Sequence, residues 1–266
     1  MKIGIVGCGG RMGRMLVQAV HQTPGAELAG GSESKQSEFL GQDPALLAGL
    51  KASGLKITDD SRALFEASDC VVDFTVPAAT EMHAKLALET GTALVPGTTG
   101  LSADQQAVIV KASKSVAIVQ AANYSIGVNL LLGLTEQVAG VLGEEFDIEV
   151  LEMHHRHKID APSGTALALG KAAAAGRGVN LDEVSDRVRD GHTGARTVGN
   201  IGFATLRGGM VVGDHTVIFA SDDERIEITH RAADRGLFAK GAIRAAMWTA
   251  GKAPGLYSMR DVLGFD

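Results

Sequence analysis

Short apolar, β-branched runs alternate with longer stretches of helical periodicity through the first 120 residues. Ile3–Gly7, Glu27–Gly31, Val71–Thr75, Thr92–Pro96 and Val116–Gln120 are predicted as strands, and Arg11–Gln22, Ala78–Thr90 and Ser102–Ser113 as helices. Such alternation specifies a parallel sheet with helices on both faces, with ligands held beyond the carboxyl ends of the strands. The segment 36–61 is irregular and supports no assignment. After Tyr124 the pattern changes: Val128–Gly140 reads as one helix, and strand-like runs follow at Phe146–Met153, Asn200–Arg207, Met210–Ser221 and Arg225–His230. These runs are set apart mostly by glycine and acidic turns, which predicts a second domain built on an open sheet of mixed or mainly antiparallel strands. Leu237–Ala250, alanine-rich with Phe238, Ile243 and Trp248, reads as a helix returning to the first domain. The expectation is an α/β protein: a doubly wound parallel sheet over residues 1–125 and 235–266, and an α+β domain over 126–234.

Composition narrows the function classes. Hydrophobic residues at 45% and charged residues at 21% suit a folded globular chain. A net charge of −6 argues against a general polyanion binder, so nucleic acid is not an expected partner. No apolar run approaches the roughly 18–20 residues that span a bilayer, and MKIGIVGCGG runs straight into a strand-and-glycine pattern without the layout of a signal peptide. A cytoplasmic protein with no membrane partner is expected. Cys8 and Cys70 are too few for a disulfide scaffold or a cysteine metal site, and Cys8 reads as a small residue in a glycine loop.

Glycine is unusually abundant, 34 of 266 residues, and its first cluster is informative. Gly7-Cys8-Gly9-Gly10-Arg11-Met12-Gly13 closes the first strand and opens the first helix. Glycines there allow a tight turn and let backbone N–H groups approach a pyrophosphate, which the positive end of the helix also favours. The spacing departs from a strict G-x-G-x-x-G, because Met12 stands where the third glycine would fall and Gly7-x-x-Gly10-x-x-Gly13 is present instead. Glu33 follows Gly13 by 20 residues, where an acidic residue can bond the adenine ribose hydroxyls. The combination predicts a Rossmann-like domain binding NADH or NADPH, against the alternative of a surface turn. Gly97-Thr98-Thr99-Gly100 and Ala121-Ala122-Asn123-Tyr124 follow later strands and would emerge at the same edge, where hydroxyls and the Tyr124 ring could line the nicotinamide or serve only as loops.

His154-His155-Arg156-His157-Lys158 concentrates proton-carrying side chains in a net acidic chain. Just downstream, Asp160-Ala161-Pro162-Ser163-Gly164-Thr165 leads into the helix-forming Ala166-Leu167-Ala168-Leu169. Ser163 or Thr165 can cap that helix, and N–H groups around Ser163, Gly164 and Thr165 would make a carboxylate or phosphate site. A proton donor beside an anion site points to a small anionic substrate. A solvated strand edge, a zinc site and a Ser163 nucleophile are the competing readings. Zinc lacks the usual helical ligand spacing and Ser163 lacks the G-x-S-x-G elbow, so no metal is expected.

Glu149-Val150-Leu151-Glu152-Met153-His154, followed by Lys158-Ile159-Asp160-Ala161-Pro162-Ser163-Gly164-Thr165-Ala166, resembles the signature of the dihydrodipicolinate reductase (4-hydroxy-tetrahydrodipicolinate reductase) family of bacterial lysine and diaminopimelate synthesis. Asp73-Phe74-Thr75, Gly191-His192-Thr193-Gly194, Ile201-Gly202-Phe203 and Glu227–Ala232 also fall in family order, so the resemblance spans the chain. It implies an acid/base role for His154, proton donation by Lys158, and substrate contacts at His155, Ser163, Gly164 and Thr165. It implies cofactor contacts at Gly7, Cys8, Gly9, Gly10, Arg11, Met12, Glu33, Gly97, Thr98, Thr99, Ala121, Ala122, Asn123 and Tyr124. A homotetramer joined through the second domain's sheet is implied as well. Two positions depart from the family's habit: Ser34 and Lys35 stand where members that hold the NADPH 2′-phosphate often begin with arginine, and Tyr124 replaces a common phenylalanine. The implied reaction is reduction of a cyclic imine dicarboxylate. The glycine loop and the basic cluster lie far apart in sequence, so the two domains are expected to close for it, with hinges at Asn123–Gly127 and Ala233–Gly236. A dehydrogenase of another amino- or keto-acid, and a dinucleotide-sensing regulator without chemistry, are the alternatives.

Overall fold

The computed structural model describes residues 1–265. In chain order the elements are β1 (Lys2–Val6), α1 (Arg11–Gln22), β2 (Glu27–Ser32), α2 (Pro44–Leu47), α3 (Ser61–Glu66), β3 (Cys70–Asp73), α4 (Pro77–Thr90), β4 (Ala93–Pro96), α5 (Ala103–Ser113) and β5 (Ala117–Val119). They continue with α6 (Ile126–Val141), β6 (Asp147–His154), α7 (Gly164–Arg177), α8 (Leu181–Val184), β7 (Ser185–Asp186), β8 (Ile201–Arg207), β9 (Asp214–Ala220) and β10 (Arg225–Arg231). The chain closes with α9 (Gly236–Trp248), β11 (Gly255–Tyr257) and α10 (Met259–Leu263). Two compact units result, one of residues 1–126 with 236–266 and the other of residues 127–235.

The first unit is a six-stranded sheet in the order β11-β5-β4-β3-β1-β2, with every neighbouring pair parallel. Its strands are mainly apolar because helices cover both faces; all four residues of β3 are buried, its closing Asp73 included. One face packs Ile3, Ile5, Cys70 and Val72 against α1 and α9 through Leu16, Val17, Val20, Ala242 and Ile243. The other packs Val6, Val71, Leu94 and Ile118 against Leu64, Ala84, Ala87 and Ile109. Local chemistry sets the helix limits: Pro77 opens α4, left-handed Gly91 closes it, and a reciprocal Ser102–Gln105 capping box starts α5. Two short helices occupy the stretch 36–66 that the pattern left unassigned or unmarked, each capped by an aspartate, Asp43 or Asp60. The sixth strand, β11, carries too short an apolar run to stand out in the sequence.

The second unit holds a five-stranded mixed sheet in the order β10-β9-β6-β8-β7. β6 pairs antiparallel with β9 and parallel with β8. The parallel pairing follows from α7, whose 14 residues supply the crossover that such a connection needs. Along β6 burial alternates strictly: Ile148, Val150, Glu152 and His154 face inward, and Asp147, Glu149, Leu151 and Met153 face the other way. The inward face, with Phe203, Val217 and Phe219, packs on Leu131, Ala166, Leu169 and Ala173 of α6 and α7. Its last two positions are polar, and the candidate chemistry begins there.

Candidate active site

In the first unit the chain reverses strand order at β1, which lies between β2 and β3, and ligands of such sheets gather at this point. Gly7 turns the chain out of β1 with φ +66°, and Gly10 precedes α1 with no side-chain cap and no acidic residue in the helix's first turn. A Cβ on Gly13 would lie 2.1 Å from the Gly7 carbonyl oxygen, so only glycine lets the helix start this close to the turn. The glycine therefore serves helix–strand approach even though the motif's spacing is irregular. Glu33, just beyond β2, reaches the same loop and accepts a hydrogen bond from the Gly9 N–H at 2.7 Å. The N–H groups of residues 7–10 are taken up within the loop and by Ser32 and Glu33, so the uncapped start of α1, the tight turn and the carboxylate at the second strand's end are what fit a dinucleotide. Ser34 and Lys35 next to it are exposed.

Behind this loop, fully buried Asp73 accepts hydrogen bonds from Thr75 N–H (2.9 Å), the Thr75 hydroxyl (2.5 Å) and His83 Nδ1 (2.8 Å). Burial alone would raise its pKa, but the bonds and charge of His83 and the hydroxyls of Thr75 and Thr80 hold it below the ordinary carboxylate value. The Thr80 hydroxyl donates to Thr98 Oγ1 at 2.7 Å, tying α4 to the Gly97–Gly100 loop. Two side chains expected at the ligand edge are turned inward. Cys8 is fully buried against Gly31, which pushes its thiol up to about 12, and the Tyr124 ring is buried with its hydroxyl 2.6 Å from the Val119 carbonyl and 2.9 Å from that of Pro96. Both residues are buried as a whole, main chain included, so neither faces a ligand at this edge. Gly10, Arg11, Thr99, Gly100 and Ala122 are exposed there.

In the second unit, Glu152 is the centre of a buried polar cluster. Its Oε2 lies 2.5 Å from His154 Nδ1, and Arg207 Nη1 and Nη2 donate to its two oxygens at 2.8 Å each. Its Oε1 also accepts the Ser163 N–H at 3.1 Å. Burial pushes the Glu152 pKa up, and the hydrogen bonds from Arg207 and His154 more than offset this, leaving the carboxyl below its ordinary value. Ser163 caps α7 through Ala166 N–H (3.1 Å), and its hydroxyl lies 3.0 Å from His215 Nε2. His215 sits edge-on to His154 with ring centroids 5.1 Å apart; burial, and then the nearness of His154, depress its pKa to about 4. Ser163 is thus a 2%-exposed helix cap, an environment unlike that of an accessible nucleophile.

The loop between β6 and α7 carries the rest. Lys158 pairs with Asp160 at 2.8 Å and keeps part of its side chain exposed. His155 is half-buried, and desolvation, followed by the charges of Arg235, His157, His154 and Lys158, lowers its pKa. Gly164 is exposed at the first turn of α7, with Thr165 half-buried beside it. The second unit thus gathers His154, His155, Lys158, Ser163, Gly164 and Thr165 at one end of its sheet, while the cofactor candidates cluster in the first unit. Sequence reasoning missed Glu152, Arg207 and His215 as site residues. Glu152 was within reach, since residues two apart on a strand share a face; Arg207 and His215 arrive from other strands and left no local signal. Among the described residues, no group of three or more His, Cys, Asp or Glu side chains is arranged to hold a metal ion.

Comparison with known proteins accounts for this arrangement. The family models for the N-terminus and C-terminus of dihydrodipicolinate reductase match residues 1–124 and 127–263. The chain belongs to the dihydrodipicolinate reductase family. It is an NAD(P)H-dependent oxidoreductase of lysine and diaminopimelate synthesis. The 4-hydroxy-tetrahydrodipicolinate reductase of Afipia carboxidovorans is 58% identical over 264 residues, covering 99% of this chain and 97% of the relative. That of Bradyrhizobium diazoefficiens is 54% identical over the same shares. Among solved structures, a dipicolinate-bound dihydrodipicolinate reductase from Paenisporosarcina sp. TG-14 shares the fold with a TM-score of 0.76 at 20% identity over 97% of each chain.

Proposed function

We propose that the first unit holds NADH or NADPH and the second holds 4-hydroxy-tetrahydrodipicolinate, which leaves as tetrahydrodipicolinate after loss of water and reduction. The observation that carries this assignment is the oriented His154, set with Lys158 beside the N-terminal end of α7 in a unit whose whole length matches the family. The bound nicotinamide supplies the hydride. Negative charge then builds on the substrate ring, and a nearby cation and proton source lower the barrier. Lys158 donates the proton, with His154 as its acid/base partner. Ser163, Gly164 and Thr165 at the start of α7, together with His155, hold a substrate carboxylate and so fix the ring in place. Backbone groups of Gly10–Met12 at the start of α1 cradle the pyrophosphate, Glu33 bonds the adenine ribose, and Gly97–Thr99 and Ala121–Asn123 line the nicotinamide end.

The enzyme is cytoplasmic, in keeping with two buried, unpaired thiols, Cys8 and Cys70, and works as a homotetramer. Tetramer contacts form on the face of the second sheet that points away from α6 and α7, where Leu206 is 49% exposed. Loss of NADH or NADPH absorbance with freshly made cyclic imine, against simple keto acids, tests the activity. Turnover of a keto acid in preference to the imine would overturn it.

A further inference from the structure

We propose that Glu152 is a positioning residue: it fixes the tautomer and orientation of His154 and, through Ser163, couples that histidine to the anion-holding end of α7. The inference rests on the functional reading above, because it concerns what His154 and α7 do there. Glu152 has no exposed side-chain surface, and its two oxygens receive five donors, from β6, β8 and the N-terminal margin of α7. Oε2 faces His154 Nδ1 and Arg207 Nη1, and Oε1 faces Arg207 Nη2, the Ser163 N–H and, at 3.4 Å, the Thr205 hydroxyl. A carboxylate accepts and cannot donate, so Nδ1 must carry the hydrogen and Nε2 becomes the working nitrogen. The backbone keeps that nitrogen uncrowded: a Cβ on Gly213 would stand 3.0 Å from Nε2. The Arg207 fork sets the plane of the carboxylate, and Arg207 Nη2 also donates to the Asp160 carbonyl, which ties the strand to the loop carrying Lys158.

The charged or titratable groups around His154 are Glu152 on its own strand, Arg207 on β8, His215 on β9, and His155, His157 and Lys158 in the following loop. Of these only Glu152 accepts a hydrogen bond from His154. Glutamine in its place keeps the shape but presents an NH2 group to a site where every neighbour donates. Either the His154 bond or the Ser163 bond is then lost.

The test uses the full chain. In 15N-histidine spectra, with His154 assigned by comparison with His154→Gln, the neutral wild-type ring is expected as the Nδ1–H tautomer. Glu152→Gln is expected to lower kcat by about tenfold or more and raise KM for the imine severalfold, with KM for NADH unchanged. Glu152→Asp, which keeps the charge, should restore the Nδ1–H tautomer with partial activity, and it replaces the glutamine variant if that one does not fold. An Nε2–H tautomer in the wild type overturns the proposal, as does a folded glutamine variant that keeps the Nδ1–H tautomer with kcat and KM within twofold of wild type. Failure of the wild type to reduce the imine would overturn the functional reading instead, and the tautomer measurement would still judge Glu152.

Discussion

Individual side chains in the second unit divide between chemistry and its support. Lys158→Ala and His154→Ala are each expected to lower kcat by about 10²–10⁴-fold, the usual worth of a positioned proton donor, as measured by steady-state kinetics at saturating imine. Thr165→Ala should instead raise KM for the imine severalfold with little change in kcat, since a carboxylate contact is made equally in ground and transition states. His215 gives a pH prediction. Its pKa is depressed from 6.5 to about 4 by burial and by His154, so between those values the unfolded chain binds a proton that the folded one refuses. Stability is therefore full above about pH 6.5 and is lost as pH falls towards 4, by on the order of 2–3 kcal/mol at the low end. Urea titrations at pH 7 and 5 should show this loss in the wild type and a smaller one in His215→Gln, which still offers a donor to Ser163.

At the level of elements, close backbone approach decides more than propensity. Gly13→Ala would place a methyl group 2.1 Å from the Gly7 carbonyl and 2.6 Å from Cys8 Cα, neither of which can rotate away. The expected result is a destabilisation of about 1–3 kcal/mol, seen as a lowered Tm, together with weaker NADH binding in a fluorescence titration, because α1 must retreat from the loop it abuts. The glycine loop, α1 and Glu33 were legible in the sequence because each is local: a β-branched run, a cluster of glycines, a 3.6-residue apolar period, an acid at a set distance. The inward turn of Tyr124 was not legible. Its hydroxyl finds the carbonyls of Val119 and Pro96, one near in sequence and one distant, and only the sheet brings both to the same place. Which strands pair was likewise hidden: the pattern predicts a mixed or mainly antiparallel sheet and a helix after Ser163, but not that β8 returns beside β6.

For the molecule as a whole, the second sheet has one face buried under α6 and α7 and another that presents Leu206 at its end. In the homotetramer proposed above, a second copy of this chain covers this face. Leu206→Asp should shift the sedimentation profile from tetramer towards smaller species; an unchanged profile would place the assembly surface elsewhere. Net charge, −6 over the chain, describes an average that the His154–Lys158 stretch reverses locally.

The sequence by itself determined what depends on neighbours along the chain: the βα alternation, the glycine turn, the Ser163 cap before a helix, and the run of proton-carrying residues with the family signature around it. Tertiary structure decided which of those groups act together. Glu152 and His154 share a face because strands alternate, but Arg207 from β8 and His215 from β9 join them only through strand pairing that spans more than fifty residues. Hydrogen bonds and burial depend on distance in space. A linear pattern fixes that distance within a helix or strand and leaves it open between them.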